Sequence, residues 1–151
     1  MQKEILLGLL DQNKKNCYST FKNITPENSL LKLNQKTASI GFIYRHIGET
    51  ANILADFLGV KTNVENTTIG QSDTGQHYDL ETSRALIEQS YKVLEDIIKN
   101  TPDADWLEEI ETSFLGTLPR IRVFSIILFH NSHHCGQIAS AIVKGDLYGI
   151  S

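Results

Sequence analysis

Apolar residues recur at three- and four-residue spacing through four long stretches of this 151-residue chain, the period of α-helices that each bury one side. The first runs from about Gln2 to Phe21, with Leu6, Leu10, Cys17 and Phe21 on a common face. Thr25-Pro26-Glu27 then reads as a helix-start signal and predicts a short helical turn. The second helix covers roughly Thr37 to Leu58 and stops at Gly59, a C′ residue. Ser39, Phe42, Ile43, His46, Thr50, Ile53 and Phe57 form its core stripe. Asp79 caps the third helix, Leu80 to Lys99, whose buried side is Ile87, Tyr91, Leu94 and Ile98, and Pro102 follows it. The fourth begins near Thr117 or Leu118, with Pro119 in its first turn, and lasts until Gly145. Val123 to Phe129 has the β-branched and aromatic content of a strand, but the stripe Val123, Ile127, His130, His134, Gln137 and Ala141 passes through it at helical spacing.

The connectors set the architecture. Residues 60–79 are polar and too long for a tight hairpin between neighbouring helices, which predicts a crossover and a parallel second and third helix. Residues 101–116, with Trp106, Leu107, Ile110 and Phe114, are expected to form a short helix or an irregular connector. The fold class is therefore all-α: a four-helix bundle with a long crossover between helices two and three, as a single domain over residues 1–151. Ile121, Leu128, Phe129 and Val143 make the fourth helix apolar nearly all round, so it is expected at the centre of the bundle or at the interface of a homodimer.

Composition narrows the partners. Apolar residues make up 40 % of the chain, enough for a packed core, and the formal charge is -4. With no basic cluster beyond Lys14-Lys15, nucleic-acid binding is not expected. Val123 to Phe129 is far short of the roughly 20 apolar residues of a spanning helix, so no membrane role is expected either. The N-terminus reads as an amphipathic helix rather than a signal peptide, and a cytoplasmic location follows as the default. Cys17 and Cys135 are then expected as free thiols, and the sequons at Asn23 and Asn66 as incidental.

The chemistry gathers on histidines. His130 and His134 point the same way, because four residues turn a helix by one circuit plus about 40°. Imidazoles on a core-facing stripe need partners for their nitrogens, and a divalent cation supplies one for both. His46, at the middle of the second helix's stripe, is the third member. Three neutral imidazoles from two helices suit Zn²⁺ or Ni²⁺ and leave a position open for water or substrate. The competing reading is a set of core histidines bonded to carbonyls or water.

Around this set, His133 diverges from His134 by about 100° and reads as a partly exposed polar residue. His77, in the crossover, is expected to be solvated unless the loop folds over the site. Cys135 and Cys17 read as packed thiols. Gln137 is placed to orient His134 or to hold an outer-shell water, and Glu49 to accept the spare N–H of His46 or to be solvated. Asn131 stands where a zincin helix has its catalytic Glu, and no Glu lies three residues before any His, which excludes metalloprotease and di-iron bundle signatures. No catalytic base is assigned.

His130-x-x-His133-His134-Cys135-Gly136-Gln137-Ile138, with His46 in helix two, resembles the DinB-like superfamily of metal-binding four-helix bundles, which includes YfiT-like proteins and thiol-dependent transferases. Cys135 replaces the frequent Arg of that pattern. The resemblance covers the whole chain and implies a bundle with a crossover, a divalent metal on His46, His130 and His134, and often a homodimer. It also implies a metal-dependent thiol S-transferase acting on small electrophiles with a low-molecular-weight thiol. Hydrolysis by an activated water, or a non-catalytic metal or small-ligand binding bundle, are the alternatives.

Overall fold

The computed structural model describes residues 1–149; residues 150 and 151, included in the expected domain, lie outside the described residues. In chain order it contains α1 (Gln2–Phe21), α2 (Ile40–Phe57), α3 (Leu80–Asn100), a 3₁₀ turn (Asp103–Leu107), β1 (Glu109–Thr112), β2 (Gly116–Pro119) and α4 (Arg120–Lys144). The expected four-helix architecture is present, and the capping residues explain where the helices start and stop. Asp79 Oδ2 accepts from Thr82 N at 2.7 Å to open α3, and Ser39 Oγ accepts from Phe42 N to open α2. Gly59 takes the left-handed φ of 99° just past the end of α2. Thr25 and Asn28 cap one another reciprocally in a turn at the expected place, Thr25 N donating to Asn28 Oδ1 and Asn28 N to Thr25 Oγ1.

Inter-helix contacts give the directions. Arg45, near the start of α2, bonds Ser83 Oγ and the Asp79 carbonyl near the start of α3, and Asn52 further along donates to the Leu86 carbonyl. The two helices are therefore parallel, as the crossover length predicts. α4 runs antiparallel to α2, since His130 meets His46 while Arg120 Nη1 reaches the Leu58 carbonyl at the far end. α1 is antiparallel to α3, with Lys3 at the Lys99 carbonyl and Asn13 at Tyr91. The order is up, down, down, up.

The short helix expected within residues 101–116 is present as the 3₁₀ turn, which buries Trp106 against Phe124, but the rest of the segment is an antiparallel hairpin rather than an irregular connector, pairing Glu109 with Pro119 and Thr112 with Gly116. Thr112 Oγ1 accepts from Leu115 N and donates to the Gly116 carbonyl, while Gly116 holds a left-handed φ of 75°. The strand takes up the residues assigned to the first turn of α4, so Pro119 becomes its N-cap and the helix starts at Arg120.

Of the two places expected for the fourth helix, the centre of the bundle is taken by α2 instead. α2 buries 13 of its 18 residues and α4 only 7 of 25, so α2 is the central helix. It is covered by α3, α4, the crossover, and the segment before it, whose Ser29 and Leu31 carbonyls accept from Gly41 N and Ile40 N. Close packing on α3 depends on Gly48, where a methyl group would sit 2.9 Å from Leu86 Cβ. α4 leaves Phe129 and Val143 exposed at 72 % and 79 %.

Candidate metal centre

α2 and α4 cross with His46 facing His130 and His134. Ring centroids lie 4.9 Å apart for His46 and His130, 4.8 Å for His46 and His134, and 4.4 Å for His130 and His134. One nitrogen of each ring falls within 4.8 Å of the others, so these three side chains could hold a metal ion. His46 and His130 meet through Nε2 at 3.0 Å. Bonds of about 2.0–2.1 Å to one ion hold two nitrogens roughly 2.9–3.4 Å apart between octahedral and tetrahedral angles, so this spacing fits shared ligation. Two imidazole lone pairs at that distance repel unless a proton or a cation lies between them.

Hydrogen bonds behind the rings aim them. His134 Nδ1 donates to Gln137 Oε1 at 2.6 Å, which leaves its lone pair on Nε2. Gln137 thus has the orienting position expected of it. His46 Nδ1 lies 3.2 Å from Thr68 Oγ1 and 3.4 Å from Thr50 Oγ1. His130 Nδ1 is buried without a hydrogen-bond partner among the described residues.

The expectation for Glu49 is corrected in detail. Its carboxylate, 1 % exposed, is neither solvated nor bonded to His46. It accepts from Thr67 N at 2.9 Å, Thr67 Oγ1 at 2.6 Å and Thr68 Oγ1 at 2.7 Å, with Arg45 Nη1 at 3.9 Å. Thr68 therefore stands between Glu49 and His46. The periodicity of α2 cannot reveal this, because Thr67 and Thr68 come from the crossover and reach the helix only through the chain's return path. Their one sequence signal is two adjacent hydroxyl residues in a polar loop.

The rings are held neutral, as metal ligation needs. Burial lowers the His46 pKa to about 4, helped by His134 and opposed by Glu49. Burial, with His134 and His46, lowers His130 to about 3, and burial also lowers His134. Desolvation disfavours the imidazolium at each position.

The other candidates fall outside the cluster. His133 is exposed and stacks on Phe129, as expected from its angle. His77 is exposed and lines a separate surface depression with Ile24, Pro26 and Arg84, so the crossover does not bring it over the site. Cys17 and Cys135 are free and buried. They pack together with Asn13 and Tyr91: Tyr91 Oη donates to Asn13 Oδ1, and Asn13 Nδ2 donates to the Leu128 carbonyl and Ser132 Oγ. Asn13 sits on the apolar stripe of α1, where the spacing of hydrophobic residues gave no sign of it.

One side of the cluster opens to a surface depression of about 380 Å³, lined by His46, His134 and Gln137 together with Phe42, Lys36 and Gln71. No carboxylate lines it among the described residues. A comparison with curated proteins finds no match to this chain. The DinB superfamily matches residues 9–138, a span containing all three histidines, the whole of α2, the crossover to α3 and α4 as far as Ile138, and the chain belongs to that superfamily.

Proposed function

We propose that the protein binds a divalent metal ion, Zn²⁺ or Ni²⁺, through His46, His130 and His134, and that it is a thiol S-transferase for small electrophiles. The observation that carries this reading is the convergence of three neutral imidazoles beside an open depression. A structural role for the histidines alone would not call for an approach from solvent. When bound, the cation supplies Lewis acidity that lowers the pKa of a coordinated thiol or water.

The residues of the chain do the rest. His46, His130 and His134 would hold the ion, and the depression beside them would admit an exogenous ligand. Gln137 fixes His134. Phe42 and the stems of Lys36 and Gln71 shape the space for a small molecule. With no carboxylate in that lining among the described residues, a thiol bound to the cation would release its proton to solvent water.

The partners follow as part of the proposal: a low-molecular-weight thiol, a small electrophile and a second copy of the chain, with no nucleic acid or membrane. The exposed Phe129 and Val143 on the outer face of α4 supply apolar surface for a homodimer. No helix among the described residues is long and apolar enough to cross a membrane. The two buried free thiols are compatible with the reducing cytoplasm.

Elemental analysis of untagged protein tests the metal, with about one ion per chain expected and its loss in His134→Ala. Turnover of an electrophile such as a haloarene with added thiols, before and after chelation, tests the chemistry. Chelation is expected to abolish the rate; stoichiometric metal without turnover would make the protein a non-catalytic binding bundle.

A further inference from the structure

We infer that Thr68 and Glu49 are positioning residues that hold His46 in the tautomer with hydrogen on Nδ1, leaving Nε2 as its metal-binding nitrogen. The argument is a count of hydrogens. Thr68 Oγ1 lies 2.7 Å from Glu49 Oε2 and 3.2 Å from His46 Nδ1, and a hydroxyl has one hydrogen to give. A carboxylate can only accept, so that hydrogen goes to Glu49. The Thr68 oxygen can then meet His46 Nδ1 only as an acceptor, and Thr50 Oγ1, 3.4 Å away, can accept as well, so hydrogen on Nδ1 satisfies both contacts, whereas a bare Nδ1 would face the Thr68 lone pairs at 3.2 Å. The lone pair of His46 is thereby placed on Nε2, the atom 3.0 Å from His130 Nε2.

The supports of this relay are themselves fixed. Glu49 and Thr68 are 1 % and 2 % exposed, so water does not compete for their bonds. Thr67 N and Thr67 Oγ1 fill further acceptor positions on Glu49, and Arg45 Nη1 stands 3.9 Å from Oε1. Arg45 is tied in turn to Ser83 Oγ and the Asp79 carbonyl of α3. The crossover is thus clipped to α2 at the point where it orients the ring, giving this loop a role in the site besides connecting helices. Outer partners of this kind raise ligand basicity and restrict the ring, and their loss weakens metal binding about 10- to 100-fold.

The purpose of the relay rests on the metal reading, but the tautomer is a property of the metal-free protein and is measured there. Long-range ¹H–¹⁵N correlation on ¹⁵N-histidine-labelled, metal-free protein is expected to show a protonated Nδ1 and a bare Nε2 for His46. Thr68→Val is expected to move the population toward hydrogen on Nε2 and to weaken Zn²⁺ binding about 10- to 100-fold, while Thr68→Ser restores both. Glu49→Gln gives an independent probe: its amide can donate to Thr68, freeing the hydroxyl hydrogen for His46 Nδ1 and reversing the tautomer. Hydrogen on Nε2 of His46 in the unsubstituted protein overturns the inference whether or not any variant folds, as does a tautomer unmoved in a folded Thr68→Val. The expected tautomer in a protein that takes up no Zn²⁺ supports the relay and overturns the metal reading instead.

Discussion

An imidazole buried beside two others has to stay neutral, and that makes the metal-free protein sensitive to acid. His46 and His130 titrate near 4 and 3 when folded, against 6.5 for the unperturbed side chain that stands for the unfolded chain. Between these limits the unfolded chain binds more protons than the native one, so stability rises with pH. The contribution is fully present above pH 6.5 and is lost progressively as the pH falls toward the folded values. The thermal midpoint of metal-free protein is therefore expected to decline from pH 7 to pH 4.5. The decline should be shallower in a His46→Gln, His130→Gln double variant, in which the carboxylates still titrate. Equal slopes in the two proteins would contradict the assignment. Gln137→Leu, which removes the acceptor on His134 Nδ1, is expected to weaken metal binding by about 10-fold or more without abolishing it, read by titration against a competing chelator.

At the scale of elements, α2 packs on α3 at a residue with no side chain. A methyl at Gly48 would meet Leu86 Cβ at 2.9 Å and Ile87 Cγ1 at 3.3 Å, with backbone of α3 behind them. Gly48→Ala is expected to destabilise the protein by about 1–3 kcal/mol through overpacking. Gly8, in the middle of α1 with open space around it, is the control: Gly8→Ala is expected to stabilise by about 0.5–1 kcal/mol. Denaturant unfolding of the two variants decides the matter, and equal effects would mean that α2 and α3 are not in such close contact. The hairpin at residues 109–119 shows the opposite limit of sequence reading. Ile110 and Leu118 pack on the core, whereas Leu107 and Phe114 remain 75 % and 54 % exposed, so neither a helical nor an alternating apolar period runs cleanly through the segment.

For the molecule as a whole, the site joins helices distant in sequence, so occupancy should register as global stability. Zn²⁺ at 100 times its dissociation constant is expected to add about 2.7 kcal/mol, seen as a higher thermal midpoint, and His130→Ala should lose that response. An unchanged midpoint in the unsubstituted protein would argue against ligation by the folded state. The proposed homodimer is tested by sedimentation: a dimer is expected, with Phe129→Glu shifting it toward monomer, and a monomer at all working concentrations would refute it.

Helical period alone located all four helices, and the crossover length anticipated their parallel pair, because burial of one face imposes a 3.6-residue rhythm that local sequence must carry. The same rhythm placed His46 on one stripe and His130 with His134 on another. What the sequence could not determine is which residues meet across elements. That α2 rather than α4 is enclosed, that Asn13 answers Tyr91, and that Glu49 reaches His46 through Thr68 of a loop are outcomes of packing. Buried polar groups must find partners wherever the folded chain brings them, and that requirement leaves no period in the sequence.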